Sequence, residues 1–335
     1  MIKRLLVVGY GSIGRRHVRI LRKMMPEADI RVMRHKPYDG NIEFVNGVFS
    51  NLKDACVFSP QAAVIANPAP FHINDAISLA NIGCHLLIEK PISDKTDNVE
   101  ELIKLARRRN IILQIGYNLR FLLSLEYFRN KIQSGSIGRI LSVRSEVGQY
   151  LPSWRPDGDY TKHVSAQKKL GGGVLLELSH EIDYLRWIFG EIEWVSAWYG
   201  KQGNLKIDVE DTALLRLGFK TETSKANNIA SLNIDFLRQD KTRACIAVGE
   251  LGSLRWDGIT NKVDKFQADN SEWQTIYNYI EKHDDSYNAQ WKNFFQCIKT
   301  GSTPRVTGED GLAVLHIIKA IYASKIAKGV QVAIE

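Results

Sequence analysis

The sequence predicts an α/β protein with a doubly wound parallel sheet over residues 1–120 and an α+β domain with an open, mainly antiparallel sheet over residues 121–335. Three observations predict this. Short apolar runs alternate with helical patterns through the first 120 residues, a glycine-rich turn joins the first run to the first helix, and beyond residue 121 strand-length runs follow one another until two closing helices. At 335 residues the chain has room for two domains, and 44% hydrophobic with 24% charged residues is ordinary for globular proteins.

"KRLLVVGYG" is a short apolar run ending in glycine, as a buried parallel strand would be. "SIGRRHVRILRKMM" follows with Ile13, Val18, Leu21 and Met25 at helical spacing. "DIRVMRH", "AAVIAN" (62–67) and "CHLLIEKP" (84–91) read as further strands. "FHINDAISLANIG" is helical up to Gly83, a natural C-cap. "DNVEELIKLARRRN" places Val99, Leu102, Ile103 and Ala106 on one face, and "IILQIGYN" returns as a strand. Strands alternating with helices of this length imply a parallel sheet covered on both faces.

Within that frame "GYGSIG" is G-x-G-x-x-G at the first strand-to-helix turn. Gly9 allows the tight turn, Gly11 lets backbone approach a pyrophosphate, and Gly14 lets the helix pack on the strand. The amides of Ser12 and Ile13 would face the phosphates at the helix N-terminus. This is the Rossmann dinucleotide signature. The second strand ends in "MRHKP", with Arg34 and His35 and no acid before Asp39 to hold a ribose 2′-hydroxyl. Basic groups there suit a 2′-phosphate, so the cofactor is NAD(P), with NADP favoured over NAD.

The next signal is "IEKPIS", which puts Glu89 and Lys90 at a strand's carboxyl end, where ligands of open α/β sheets bind. Together with "NPAPFH" (67–72), "GYNLRF" (116–121), "GSIGRI" (135–140) and the later "GGG…H..D", this pattern resembles the glucose-fructose oxidoreductase, inositol dehydrogenase and MocA family. The resemblance spans residues 1 to about 190. It implies a Rossmann domain followed by a substrate-binding and oligomerisation domain, metal-free hydride chemistry on a sugar, cyclitol or nucleotide-linked sugar, and a homodimer or homotetramer. It also implies that Asn67, Pro68, His72, Glu89, Lys90 and Asn118 line the cofactor, that Lys90 handles the substrate proton as well, and that Arg120 and Asp183 reach the substrate. Members of surface-polysaccharide or nonulosonic-acid sugar pathways are the most similar.

From residue 121 the strand-like runs are "LSVRSEVGQY", "EWVSAWYG", "TALLRLGF", "NIASLNIDF", "RACIAVGE" and "GSLRWDG". "SYNAQWKNFFQCIKTG" and "GEDGLAVLHIIKAIYASKIAKG" read as helices, the second capped by Thr307. The polar, aromatic stretch 148–170 is too long for a simple connection, and Trp154, Arg155 and Tyr160 there are candidate substrate contacts. "GGGVLLELSHEIDYLRWIFG" (171–190) reads as one amphipathic helix behind a flexible glycine entry. Its polar side, with Glu177, His180, Glu181, Asp183 and Tyr184, would front a cleft, His180 sharing the proton with Lys90 and Glu177 orienting it. Family members usually place an Asp four residues before the His and another three after it. Here the His180–Asp183 spacing holds, but Glu177 precedes His180 by only three.

Other classes are excluded by composition. No run approaches the roughly 18 apolar residues of a membrane span. The four scattered cysteines fit a reducing, cytoplasmic setting rather than a disulfide framework or zinc site. The net charge of +8 is spread among acids, which fits small anionic ligands better than nucleic acid. With the dinucleotide turn, the resemblance implies an NAD(P)-dependent sugar oxidoreductase. The alternatives are a non-catalytic dinucleotide-binding regulator of the same fold and an enzyme that keeps and recycles its cofactor.

Overall fold

The computed structural model describes residues 2–34, 42–154, 156, 158–220, 228–267 and 271–334, and structural counts refer to these. The chain begins β1 (Arg4–Val8), α1 (Ser12–Met24), β2 (Asp29–Met33), β3 (Gly47–Phe49), α2 (Leu52–Val57), β4 (Ala62–Ile65), α3 (His72–Asn81), β5 (His85–Ile88), α4 (Val99–Arg108) and β6 (Leu113–Ile115). These strands form a parallel sheet in the order β3-β2-β1-β4-β5-β6. The order reverses between β1 and β4, which opens the crevice where doubly wound sheets bind dinucleotides. The short β3 and α2 carry no periodic apolar pattern, and the sequence alone does not reveal them.

The second part runs α5 (Leu123–Gln133), β7 (Ile140–Gly148), α6 (Val174–Glu177), α7 (His180–Phe189), β8 (Ile192–Gly200), β9 (Thr212–Phe219), β10 (Ile229–Asp235), β11 (Thr242–Gly249), β12 (Gly252–Asp257), β13 (Lys262–Gln267) and β14 (Trp273–Asn278), then α8 (Asp285–Thr300), α9 (Gly308–Ile326) and β15 (Val332–Ala333). Nine described strands form one sheet, β14-β13-β12-β11-β7-β10-β9-β8-β15. β7 and β10 pair parallel and every other described pair is antiparallel. Burial alternates along the central strands, as the pleat demands, most regularly in β10 and β11. Val143, Leu215, Leu217, Leu232, Ile234, Cys245, Leu254 and Trp256 are buried on one face, while Arg144, Leu214, Arg216, Ser231 and Asn233 point away. The buried face takes α5 against β12–β14 and α6 against β9 and β10.

The chain divides into two compact units, one formed by residues up to Asn118 with Ser286–Leu315, the other by Leu119–Asp285 with the residues from His316 on. Leu119 lies close to the expected boundary at 120, but Ser286–Leu315 belongs to the first unit rather than the second. The reason is apolar burial. Trp291 and Phe294 of α8 are buried in the same core as Leu5, Val7, Val18, Leu21, Ile30, Val64 and Leu87. At the start of α9 the Asp310 amide donates to Thr307 Oγ1 (3.2 Å) and the Thr307 amide donates to Asp310 Oδ2 (2.8 Å), a reciprocal cap.

Candidate active site

In the first unit the glycine turn lies at the carboxyl end of β1, against the end of β4. Gly9 has φ +93°, and a Cβ there would fall 2.6 Å from the Asn67 nitrogen. A Cβ on Gly14 would fall 2.1 Å from the Gly9 carbonyl oxygen, so α1 packs this closely only on glycine. Gly11 differs: no atom lies within 4 Å of its ideal Cβ. Open space beside a turn whose following amides, Ser12 and Ile13, start a helix is the cradle that a pyrophosphate fills. Across the crevice, Asn67 donates through Nδ2 to Asp75 Oδ2 (2.7 Å), and its buried Oδ1 has no partner among the described residues. An unmatched buried acceptor at a sheet switch point suits a ligand hydroxyl. These residues fit a nicotinamide dinucleotide.

His72 opens α3 and is buried. Its Nε2 lies 2.7 Å from the Asn67 carbonyl oxygen and its Nδ1 3.1 Å from that of Pro91. Both oxygens are acceptors, so the neutral ring, with a single N–H, donates to one of them at a time. Burial holds its pKa below the ordinary 6.5, although both carbonyls and the Glu89 charge pull the other way. The sign follows directly. Above pH 6.5 folded and unfolded forms are both neutral; below it the unfolded chain takes up a proton that the folded chain refuses. Stability therefore falls as pH drops through 6.5 towards the folded pKa, by at most about 1.4 kcal/mol per pH unit. Urea midpoints of the wild type and His72→Gln at pH 7.5 and 5.5 check this, the variant being expected to show the shallower decline.

Glu89 and Lys90 follow β5, next to β4 in the sheet, and the Lys90–Pro91 bond is cis. Glu89 Oε1 accepts from His17 Nε2 (2.8 Å), and Oε2 accepts the Lys90 amide (3.3 Å). Pro68 leads a short turn over Ala69–Phe71, and Asn118 Nδ2 donates to Ser286 Oγ (2.9 Å). Arg34 follows β2, and its amide donates to the Phe49 carbonyl (2.9 Å), whereas His35 lies outside the described residues. Sequence reasoning missed His17 and Trp291. The available signal was a histidine beside Val18 on the apolar face of α1, where a titratable group needs partners.

In the second unit the segment 171–190 is not one helix. Leu178 leaves helical geometry at ψ +23°, which divides α6 from α7. The glycine entry is enclosed rather than open to solvent. Gly171–Gly173 are buried, a Cβ on Gly172 would fall 2.4 Å from the Val164 carbonyl oxygen, and one on Gly173 would fall 2.3 Å from Glu210 Oε1. Glu210 accepts the Leu175 amide (3.2 Å) at the start of α6, and burial pushes its carboxyl pKa up.

The expected polar side is corrected as well. Glu181, Asp183 and Tyr184 are fully buried. Glu181 Oε1 accepts from Arg243 Nε (2.7 Å), and the Tyr184 hydroxyl, its pKa pushed up by burial, lies 2.5 Å from Ser145 Oγ. Arg120 donates both arms to Asp183, Nε to Oδ2 at 2.9 Å and Nη2 to Oδ1 at 2.7 Å, with the two side chains 4% and 0% exposed. Asp183 therefore has no surface for a substrate and serves as the buried partner of Arg120. Polar groups tethered to the neighbouring sheet are drawn inward, which helical periodicity alone does not register. Glu177 and His180 remain half-buried, whereas Leu176, four residues before His180, is buried.

In the loop 148–170, Trp154 is held inward by its Nε1–H to the Gln149 carbonyl (3.2 Å) and its edge contact with Phe236. The Tyr160 hydroxyl accepts the Lys206 amide (3.1 Å), and Arg155 lies outside the described residues. Among the described residues no cluster of three His, Cys, Asp or Glu side chains could hold a metal ion, and no helix is long and apolar enough to cross a membrane.

Comparison with known proteins agrees with this geometry. Residues 3–117 match the model of an oxidoreductase family's NAD-binding Rossmann fold, and residues 129–334 match that of the same family's C-terminal alpha/beta domain. The myo-inositol 2-dehydrogenase of Thermotoga maritima is 26% identical over 342 residues, covering 93% of each chain. A solved levoglucosan dehydrogenase in complex with NADH has a TM-score of 0.86 at 21% identity over 99% of both chains. The WlbA dehydrogenase from Bordetella pertussis, in complex with NADH and UDP-GlcNAcA, has a TM-score of 0.81 at 22% identity over 100% of this chain and 99% of its own. At these identities the two solved structures establish the fold.

Proposed function

The chain belongs to the Gfo/Idh/MocA family of oxidoreductases, and from that premise we propose that it is an NAD(P)-dependent dehydrogenase or reductase of a sugar or nucleotide-linked sugar. The observation that carries the reading is the position of Lys90 at the carboxyl end of β5, in the sheet whose β1–β4 crevice holds the glycine turn and Asn67. When bound, the nicotinamide exchanges a hydride with the substrate carbon. The chain's own residues do the rest. The amides of Ser12 and Ile13 and the open face of Gly11 hold the pyrophosphate, and Asn67 Oδ1 accepts from a hydroxyl. Pro68 and His72 shape the wall, and Asn118 supports it. The Lys90 ammonium hydrogen-bonds the reacting oxygen, and His180 takes or returns its proton, with Glu177 orienting the ring. Positioned acid–base groups of this kind supply about 10²- to 10⁴-fold in rate.

Sugars and cyclitols are the substrate class because two of the similar proteins are named for myo-inositol and levoglucosan and a third is solved in complex with UDP-GlcNAcA. Arg34 favours NADP, while the NADH in the two solved neighbours keeps NAD as the alternative. Following reduced-nicotinamide absorbance with each dinucleotide across a panel of sugars, cyclitols and nucleotide sugars tests the proposal; no turnover with any of them overturns it. Trp198 and Leu214 are exposed on the outer sheet face and support a homodimer or homotetramer, which light scattering measures.

Two glycine substitutions separate cofactor binding from folding. Gly11→Ala places a methyl in open space, so stability is expected to change by about 0.5 kcal/mol or less. Dinucleotide affinity falls by at least about tenfold, or 1.4 kcal/mol. Gly14→Ala forces the methyl against the Gly9 carbonyl and costs about 1–3 kcal/mol of stability. Thermal melts with fluorescence titration of reduced dinucleotide check both.

A further inference from the structure

His17 stands on α1, three residues past Gly14, and is fully buried. Trp291 Nε1 donates to its Nδ1 at 3.0 Å, and an indole N–H can only donate. Nδ1 is therefore the unprotonated ring nitrogen. The proton sits on Nε2, which donates to Glu89 Oε1 at 2.8 Å. A neutral ring with this tautomer satisfies both neighbours, whereas an imidazolium has no acceptor for the indole. Trp291 and Tyr287 close the ring in with edge contacts at 5.7 and 5.9 Å.

The carboxylate of Glu89 is fixed from its other side too. Its Oε2 accepts the Lys90 amide, and a Cβ on Gly116 would fall 3.0 Å from Glu89 Cα and 3.1 Å from its Cδ, so glycine leaves just the space the side chain occupies. One imidazole thus joins α1, which follows the glycine turn, helix α8 and the peptide that presents Lys90.

We propose that His17 is a positioning residue of the reaction, acting through Glu89 to hold the backbone that presents Lys90. This rests on the dehydrogenase reading above. The test uses the full-length chain with His17→Phe, which removes both hydrogen bonds, and His17→Gln, whose amide both donates and accepts. Lys90 acetylation by a limiting acylating reagent, mapped by mass spectrometry against the other lysines, is measured in each, together with kcat and dinucleotide affinity. His17→Phe is expected to change the relative labelling rate of Lys90 at least about threefold and to lower kcat about 10²-fold, with dinucleotide affinity within about threefold. His17→Gln is expected to recover most of both.

Unchanged Lys90 labelling in folded His17→Phe, or a His17→Gln as impaired as the phenylalanine variant, overturns the proposal. Wild-type protein that turns over no sugar overturns the dehydrogenase reading instead, and the labelling arm still decides the role of His17. If His17→Phe does not fold, nitrogen-15 NMR of the wild type and labelling of Trp291→Phe take its place. A proton on Nε2 alone, and faster Lys90 labelling in Trp291→Phe, support the proposal; a proton on Nδ1 or unchanged labelling defeats it.

Discussion

Replacing Lys90 with alanine is expected to lower turnover by about 10²- to 10⁴-fold, the contribution of a positioned acid–base group, while dinucleotide affinity stays nearly unchanged. The two effects separate because the turn that would hold the pyrophosphate is built from Gly9, Gly11 and Gly14 after β1, whereas Lys90 follows β5. Lys90→Arg is not expected to rescue. Its planar guanidinium keeps its charge at all working pH values and cannot give up a proton. Steady-state kinetics with fluorescence titration decide the matter. Alanine protein that still turns over at the wild-type rate removes Lys90 from the mechanism, and alanine protein that loses the dinucleotide makes it a cofactor ligand.

The largest stability effect is expected at Asp183. Removing this carboxylate in Asp183→Ala takes both bidentate bonds from a guanidinium whose side chain is only 4% exposed. Breaking a buried pair by deleting one partner costs about 3–5 kcal/mol, far more than the pair's net worth. The double variant Arg120→Met with Asp183→Leu, which buries no charge, is therefore expected to be more stable than Asp183→Ala alone. Urea unfolding of the three proteins checks the order. A loss under about 1 kcal/mol in Asp183→Ala, the worth of a surface pair, would show that solvent reaches the site in solution. Because His180 lies one turn before Asp183 on α7, kcat is expected to fall in Asp183→Asn even where the fold survives.

Much of this site is legible in the amino-acid sequence. The glycine spacing, the strand before it and the helix after it jointly specify a conformation that few other residues allow, so the roles of Gly9 and Gly14 follow from local sterics alone. Lys90 is legible because Glu-Lys-Pro closes a strand of the same parallel sheet, at the end where such sheets bind ligands. His180 and Glu177 are singled out by the sequence, and they remain half-buried while their neighbours are enclosed. Arg120 and Asp183, which the resemblance implies reach a substrate, are paired with one another in the interior. Helical periodicity gives the direction of a side chain but not what stands opposite it.

The sequence by itself determined the local features: the alternation of strands and helices, the tight glycine turn after β1, the strands β7 to β12, and the cap at Thr307. Each depends on residues a few positions apart, where steric and hydrogen-bonding rules act on the backbone directly. Only the tertiary structure decided that α8 completes the first unit, that the helix after the glycines breaks at Leu178, and that His17, Glu89 and Trp291 share one chain of hydrogen bonds. The last of these joins residues 72 and 274 positions apart. Such partners are chosen by which apolar surfaces bury one another, and that choice is made by the whole chain at once.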